Sequence, residues 1–111
     1  MRIIAGTHKG RRLRIPKNLP VRPTTDRAKE ALFSILNHKV NFETTRVLDL
    51  YSGTGSIGFE FCSRGCPNVI AVDSDHKCSR FIAKTAEEFG LSVQSIRSTV
   101  QVYLSKCVTD F

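Results

Sequence analysis

The stretch VLDLYSGTGSIGFE, residues 47–60, decides how the rest of the chain is read. A short apolar run, interrupted only by Asp49, reaches a glycine-rich turn and then becomes amphipathic. Within the turn, Gly53, Gly55 and Gly58 spell G-x-G-x-x-G. Glycines let a backbone bend sharply and approach a ligand closely, so the stretch predicts a strand running into a helix over a bound nucleotide-like ligand.

The next apolar run, NVIAVD at residues 68–73, ends in Asp73, twenty residues after Gly53. An acid at the end of that second strand is placed to accept hydrogen bonds from ribose hydroxyls. So far a nicotinamide dinucleotide and S-adenosylmethionine fit equally well. Asp49 separates them. It lies inside the first strand, four residues before Gly53, at the mouth of the turn. A dinucleotide brings a negative pyrophosphate there, which a carboxylate repels. S-adenosylmethionine brings an ammonium and a sulfonium and no phosphate, so the acid assists. Capping of backbone amides is the other use open to Asp49.

Around this centre the chain reads as hairpin, helix, then strand-helix three times. Residues 2–4 and 11–15 predict two short strands about a glycine-bounded turn, and Pro16, Pro20 and Pro23 make the following loop. In TTDRAKEALFSIL, Ala28, Ala31, Leu32, Ile35 and Leu36 fall at helical spacing, with Thr24, Thr25 or Asp26 as N-cap, predicting a helix that buries this face. Strands follow over 46–51, 68–73 and 93–96, and helices over 56–64, 75–89 and 100–107, with Gly90 and Thr99 as caps. Strands separated by helices of this length predict an α/β fold with a parallel doubly wound sheet.

Of the 17 Lys and Arg and 10 Asp and Glu, nine basic and only two acidic residues lie in the first 30 positions. The remainder is balanced, so the whole net charge of +7 sits in the N-terminal segment. GTHKGRRLRIPK, carrying Lys9, Arg11, Arg12 and Arg14, reads as a ribbon presenting charge to a polyanion. A solvated basic face is the plainer alternative.

The chain has 111 residues, enough for one domain. No apolar run approaches the roughly 20 residues of a membrane span, and the start is not that of a signal peptide, so the protein is expected to be intracellular and cytoplasmic. Cys62, Cys66, Cys78 and Cys107 contain no C-x-x-C, and His8, His38 and His76 are scattered. They read as reduced thiols acting as small hydrophobes, with no metal site.

Three motifs in order, RIIAGTHKGRRLRIP, RPTTDRAKEALFSIL and DLYSGTGSIGFE, closely resemble the bacterial 16S ribosomal RNA guanine-N2 methyltransferases of the RsmD type. The resemblance runs from Met1 to about Leu104. It implies a Rossmann-like methyltransferase fold, S-adenosylmethionine as methyl donor and no metal. The implied reaction moves the methyl to the exocyclic N2 of a guanine in 16S ribosomal RNA, with that RNA or the small ribosomal subunit as partner. It also implies that Asp49, Tyr51, Ser52, Gly53 and Gly55 bind the methyl donor, with Asp49 near the methionine amino group and Asp73 on the ribose. Ser98 and Thr99 stand where the family meets the adenine with an acid or amide, and Thr99 departs from that habit. Arg22, Pro23, Thr24, Thr25 and Asp26 match a signature folded back beside the methyl donor and the base. For the two threonines, that role and helix capping are equally open.

Residues 1–23 are thus expected to be a basic RNA-binding arm, and 24–111 the methyl-donor-binding part of a methyltransferase domain that is incomplete at its C-terminus. The family aims the acceptor nitrogen with Asn or Asp followed by Pro-Pro and Tyr or Phe at the end of a fourth strand. This sequence has no Pro-Pro and stops at Thr109-Asp110-Phe111, about where that strand would begin. The catalytic acceptor is therefore expected to lie outside this chain. The edge at 47–50 is left unpaired, which invites pairing with a second copy or fragment. A non-catalytic RNA-binding remnant is the alternative to an enzyme.

Overall fold

The computed structural model describes residues 1–22 and 24–107. Pro23 of the signature and the end at 109–111 lie outside the described residues. Three parallel strands, β1 (Arg46–Leu50), β2 (Asn68–Asp73) and β3 (Val93–Arg97), form one sheet in the order β1-β2-β3. The register sets Asp49 beside Ala71 and Ala71 beside Ser95. Central β2 buries Val69, Ala71 and Val72. Parallel strands alternating with helices make this an α/β fold of Rossmann-like type.

Helices α1 (Asp26–Leu36), α2 (Ser56–Ser63), α3 (His76–Phe89) and α4 (Val100–Lys106) complete the order. Gly90 ends α3 at φ 66° and Thr99 caps α4, as expected, and Asp75 Oδ1 accepts from Cys78 N–H at 3.0 Å and starts α3, a cap the sequence reading did not name. Burying Ile82 and Ala86 against the sheet joins α3 to a core that includes Phe59, Val69, Ala71 and Val93. Ile3 and Leu13, from the basic arm, belong to the same core.

Two expectations are corrected. The arm is the expected antiparallel hairpin but shorter, a bridge between Arg2 and Arg12 flanked by Ile3 N–H donating to Arg11 O at 2.9 Å and Leu13 N–H to Met1 O at 3.1 Å. The reason lies in the following N–H groups: Ile4 and Ala5 donate to the Glu60 carboxylate (2.8 and 3.1 Å) and Thr7 to Ser63 O (2.8 Å), so pairing gives way to docking on α2. The second correction concerns α1, which buries Lys29 and Phe33 and not the stripe of Ala28, Ala31, Leu32 and Ile35. Phe33 packs on Phe61 of α2, ring centroids 4.8 Å apart, and on Phe42 at 6.1 Å. Phe42 opens a 3-10 turn, Phe42–Thr44, which the sequence did not signal.

Candidate functional site

The C-terminal ends of the three parallel strands meet at one edge of the sheet, where doubly wound folds hold their ligands. After β1 the chain enters the left-handed region at Tyr51 (φ 57°), Gly53 (φ 58°) and Gly55 (φ 79°). Glycine at 55 is required by space as well: a Cβ there would stand 2.8 Å from Ile82 Cγ1. Ser52 fastens the turn to β2, its N–H and hydroxyl both donating to Val72 O at 3.0 and 3.1 Å. Gly55 N–H returns to Ser52 O at 2.9 Å.

Asp73 organises the edge. Its Oδ2 accepts from Gly53 N–H at 2.9 Å and its Oδ1 from Asp75 N–H at 2.8 Å. Its carbonyl accepts from Ser98 N–H at 3.1 Å, bringing in the end of β3. The structure therefore gathers Tyr51, Ser52, Gly53, Gly55, Asp73, Ser98 and Thr99. Thr99 uses its hydroxyl to cap α4, accepting from Val102 N–H at 3.1 Å. Tyr51 leaves its ring 73% exposed beside the turn.

Asp49 lies beneath. Its Oδ2 is buried and has no hydrogen-bond partner among the described residues. Burial first, and repulsion from Asp73 second, push its carboxyl up to about 6, against some relief from the Gly58 amide. A buried carboxylate oxygen left unpaired beside an open turn is a costly arrangement that a cation relieves. The ammonium and sulfonium of S-adenosylmethionine suit it. A pyrophosphate does not.

The signature segment lies against this turn. A Cβ on Gly53 would stand 3.6 Å from Val21 Cγ2, which puts exposed Arg22 next to the site. Thr25 is the N-cap of α1, accepting from Ala28 N–H at 3.1 Å, and Thr24 is exposed. Both line a recess with Met1, Leu13, Ile15 and Asp26. On the arm, Lys9, Arg12 and Arg14 are exposed and, among the described residues, make no ion pair. Arg11 differs, lying over the Phe89 ring at 4.1 Å.

Sequence reasoning missed the buried charges that tie the arm to this site. Lys29 and Glu60 are both fully buried, with Nζ 3.3 Å from Oε1. Lys29 Nζ also donates to Ser56 Oγ at 2.9 Å, the first residue of α2 after the glycine turn, and to Arg2 O at 2.6 Å. Burial lowers the Lys29 ammonium from its usual range, and the Glu60 carboxylate opposes the shift. Arg64 Nε completes the carboxylate's shell at 2.9 Å. The only available signal was a lysine inside a helix pattern and a glutamate among the apolar residues of α2. Cys62, Cys66 and Cys78 are free thiols, and burial pushes the Cys78 thiol up to about 11. No metal-binding cluster occurs among the described residues.

A glycine turn with a buried acid before it and a second acid at the next strand end defines the class, an α/β fold of methyltransferase type. The family model described as Conserved hypothetical protein 95 matches residues 1–110, and the chain belongs to that family. It is 37% identical over 92 residues to a Bacillus subtilis protein provisionally named an rRNA methyltransferase, spanning 83% of this chain and 49% of the relative. It is 34% identical over 84 residues to ribosomal RNA small subunit methyltransferase D of Escherichia coli K12, spanning 76% of this chain and 41% of the relative. The structure of a hypothetical protein from Thermus thermophilus superimposes with TM-score 0.82 at 28% identity, covering 96% of this chain and 60% of that one. The chain spans about half the length of the curated relatives it matches.

Proposed function

We propose that this chain is the methyl-donor-binding half of an S-adenosylmethionine-dependent methyltransferase of the cytoplasm that modifies the exocyclic N2 of a guanine in 16S ribosomal RNA. The observation that carries the reading is the orphaned Asp49 Oδ2, buried below the glycine turn and suited to a cation. The names of the relatives, which include ribosomal RNA small subunit methyltransferase D, support the reaction class and the substrate.

When bound, S-adenosylmethionine supplies a methyl activated by its sulfonium. The residues of this chain hold and orient that group. Asp49 balances the ammonium, Asp73 keeps Gly53 in place and faces the ribose, and Ser98 and Thr99 border the adenine. Lys9, Arg11, Arg12, Arg14 and Arg22 neutralise RNA phosphates and bring the substrate to the rim of the turn, where Tyr51, Thr24 and Thr25 border the base. The group that aims the guanine amine is not among these residues, so transfer depends on a further part of the fold.

The test is to incubate the chain with methyl-labelled S-adenosylmethionine and small ribosomal subunits lacking the mark, alone and with the second half of a longer relative. Incorporation with the second half supports the reading. Salt-sensitive RNA binding with no incorporation and no donor uptake supports an RNA-binding remnant instead.

A further inference from the structure

Lys29 holds its charge in an unfavourable place. Its ammonium lies at the first residue of α2, donating to Ser56 Oγ at 2.9 Å, and a helix N-terminus carries a partial positive charge that repels a cation. Glu60, one turn along the same face of α2, offsets this with Oε1 at 3.3 Å, and both side chains are fully buried. A buried pair of this kind is a weak source of stability, because apolar side chains of similar volume often serve as well. What an apolar side chain cannot do is direct three N–H donors at three neighbours, and the Lys29 ammonium does so with Ser56 Oγ, Arg2 O and Glu60.

The neighbour nearest the chemistry is Ser56. It follows Gly55, the N-cap of α2, which has no side chain to hold the first turn of the helix. The Ser56 N–H reaches Thr54 Oγ1 only at 3.4 Å. The same turn of helix includes Gly58, where a Cβ would stand 3.7 Å from Asp49 Oδ2, and the Gly58 amide relieves the Asp49 carboxyl. The depth of this first turn therefore sets how closely α2 approaches Asp49. Lys29 reaches it from α1, just after Thr25 and Asp26 of the signature stretch, and its bond to Arg2 O at 2.6 Å fixes the start of the arm as well.

We propose that Lys29 and Ser56 are positioning residues for the methyl-donor turn: the bond from ammonium to hydroxyl holds the start of α2 against α1 and the arm, and so keeps Gly55 and Gly58 at their distance from Asp49. The proposal rests on the reading of this turn as the seat of S-adenosylmethionine. Ser63 supplies the comparison. It is buried on the same helix and is tied to the arm, its Oγ donating to Ala5 O at 2.7 Å and accepting from His8 N–H at 3.0 Å, but it closes α2 at the end away from the turn. One helix thus carries a serine that only fastens the arm and a serine that also sets the turn.

The test is calorimetric titration of the full chain with S-adenosylmethionine, comparing the wild type with Ser56→Ala, Lys29→Met, their combination and Ser63→Ala, with thermal scans of each. Ser56→Ala and Lys29→Met are each expected to weaken binding about tenfold, the size of one lost hydrogen bond to a charged group. The combination binds no more weakly than Lys29→Met, because both substitutions remove the same bond. Ser63→Ala lowers the melting temperature and binds as the wild type does. If Ser56→Ala binds as tightly as the wild type, the bond sets nothing at the turn and the proposal is overturned. If Ser63→Ala loses as much affinity as Ser56→Ala, α2 acts through overall stability alone and the proposal is again overturned. A wild type that takes up no S-adenosylmethionine overturns the methyl-donor reading itself, and the proposal with it.

Discussion

Asp73 holds the glycine turn shut: its Oδ2 accepts from the Gly53 N–H at 2.9 Å while Oδ1 accepts from Asp75 N–H at 2.8 Å. One carboxylate thereby joins the turn after β1 to the end of β2 and the start of α3. Asp73→Asn turns an amide group toward one of these two N–H donors, leaving it unpaired at a cost of about 1–3 kcal/mol. Melting temperature and S-adenosylmethionine affinity are expected to fall together in thermal scans and calorimetric titration. If neither moves, Asp73 does not organise the turn.

The Lys29–Glu60 pair predicts an ordering of two substitutions. Glu60 accepts from Lys29, Arg64 and the backbone of Ile4 and Ala5, all around one buried carboxylate. Glu60→Leu strands every one of these donors and is expected to cost about 3–5 kcal/mol. Lys29→Met leaves the carboxylate three partners and is expected to cost less. Urea denaturation of the two variants measures the difference, and equal losses would mean that the carboxylate is not the hub.

Two glycines of the arm, alike in backbone, separate space from conformation. Gly6 and Gly10 have φ 88° and 86°, but a Cβ at Gly6 would meet Ser63 O at 2.0 Å, while at Gly10 nothing lies within 4 Å. Gly10→Ala is expected to cost about 1 kcal/mol from conformation alone, and Gly6→Ala to dislodge the arm from α2 and cost at least about 3 kcal/mol. Hydrogen exchange at Thr7 and His8, whose N–H groups bond Ser63, reads the loss directly.

The exposed cations set the salt response of RNA binding. Arg12→Gln and Arg14→Gln are each expected to reduce the magnitude of the slope of log affinity against log salt by about 0.9 on duplex RNA, or about 0.7 on a single strand. Arg11→Gln, whose guanidinium lies over Phe89, is expected to lower stability as well. Filter binding across a salt series gives the slopes, and slopes equal to the wild type's would remove these residues from the interface.

Much of the fold was legible because local signals agreed. NVIAVD has one reading, and β2 spans those six residues as expected. The glycine turn was legible because a left-handed backbone favours glycine at 53 and, with Ile82 crowding the turn, requires it at 55. The outward stripe of α1 was not, because periodicity identifies an apolar face and says nothing of which way the fold turns it. Nor was the buried network, since Lys29 and Glu60 lie far apart in sequence and tertiary packing, including that of Phe33 on Phe61, brings them together. For Asp49 the sequence offered a cation partner or a cap, and its unpaired Oδ2 speaks for the cation.

Asp49 also predicts opposite signs for stability and binding. With its carboxyl raised from 3.8 to about 6, this group costs nothing well below pH 3.8, where it is protonated folded or unfolded. The penalty grows as pH rises through that interval and reaches at most about 3 kcal/mol above pH 7. A bound cation favours the charged form, so S-adenosylmethionine affinity rises over the same interval as stability falls.

Titration calorimetry of the wild type and Asp49→Asn with S-adenosylmethionine at pH 5 and pH 8, alongside thermal scans, tests this most directly. The wild type is expected to bind about tenfold more tightly at pH 8 than at pH 5. Asp49→Asn is expected to melt higher than the wild type at pH 8, yet to bind at least about tenfold more weakly there and without pH dependence. An asparagine variant that binds as tightly as the wild type, or a turn that takes up a nicotinamide dinucleotide and leaves S-adenosylmethionine in solution, would contradict the account.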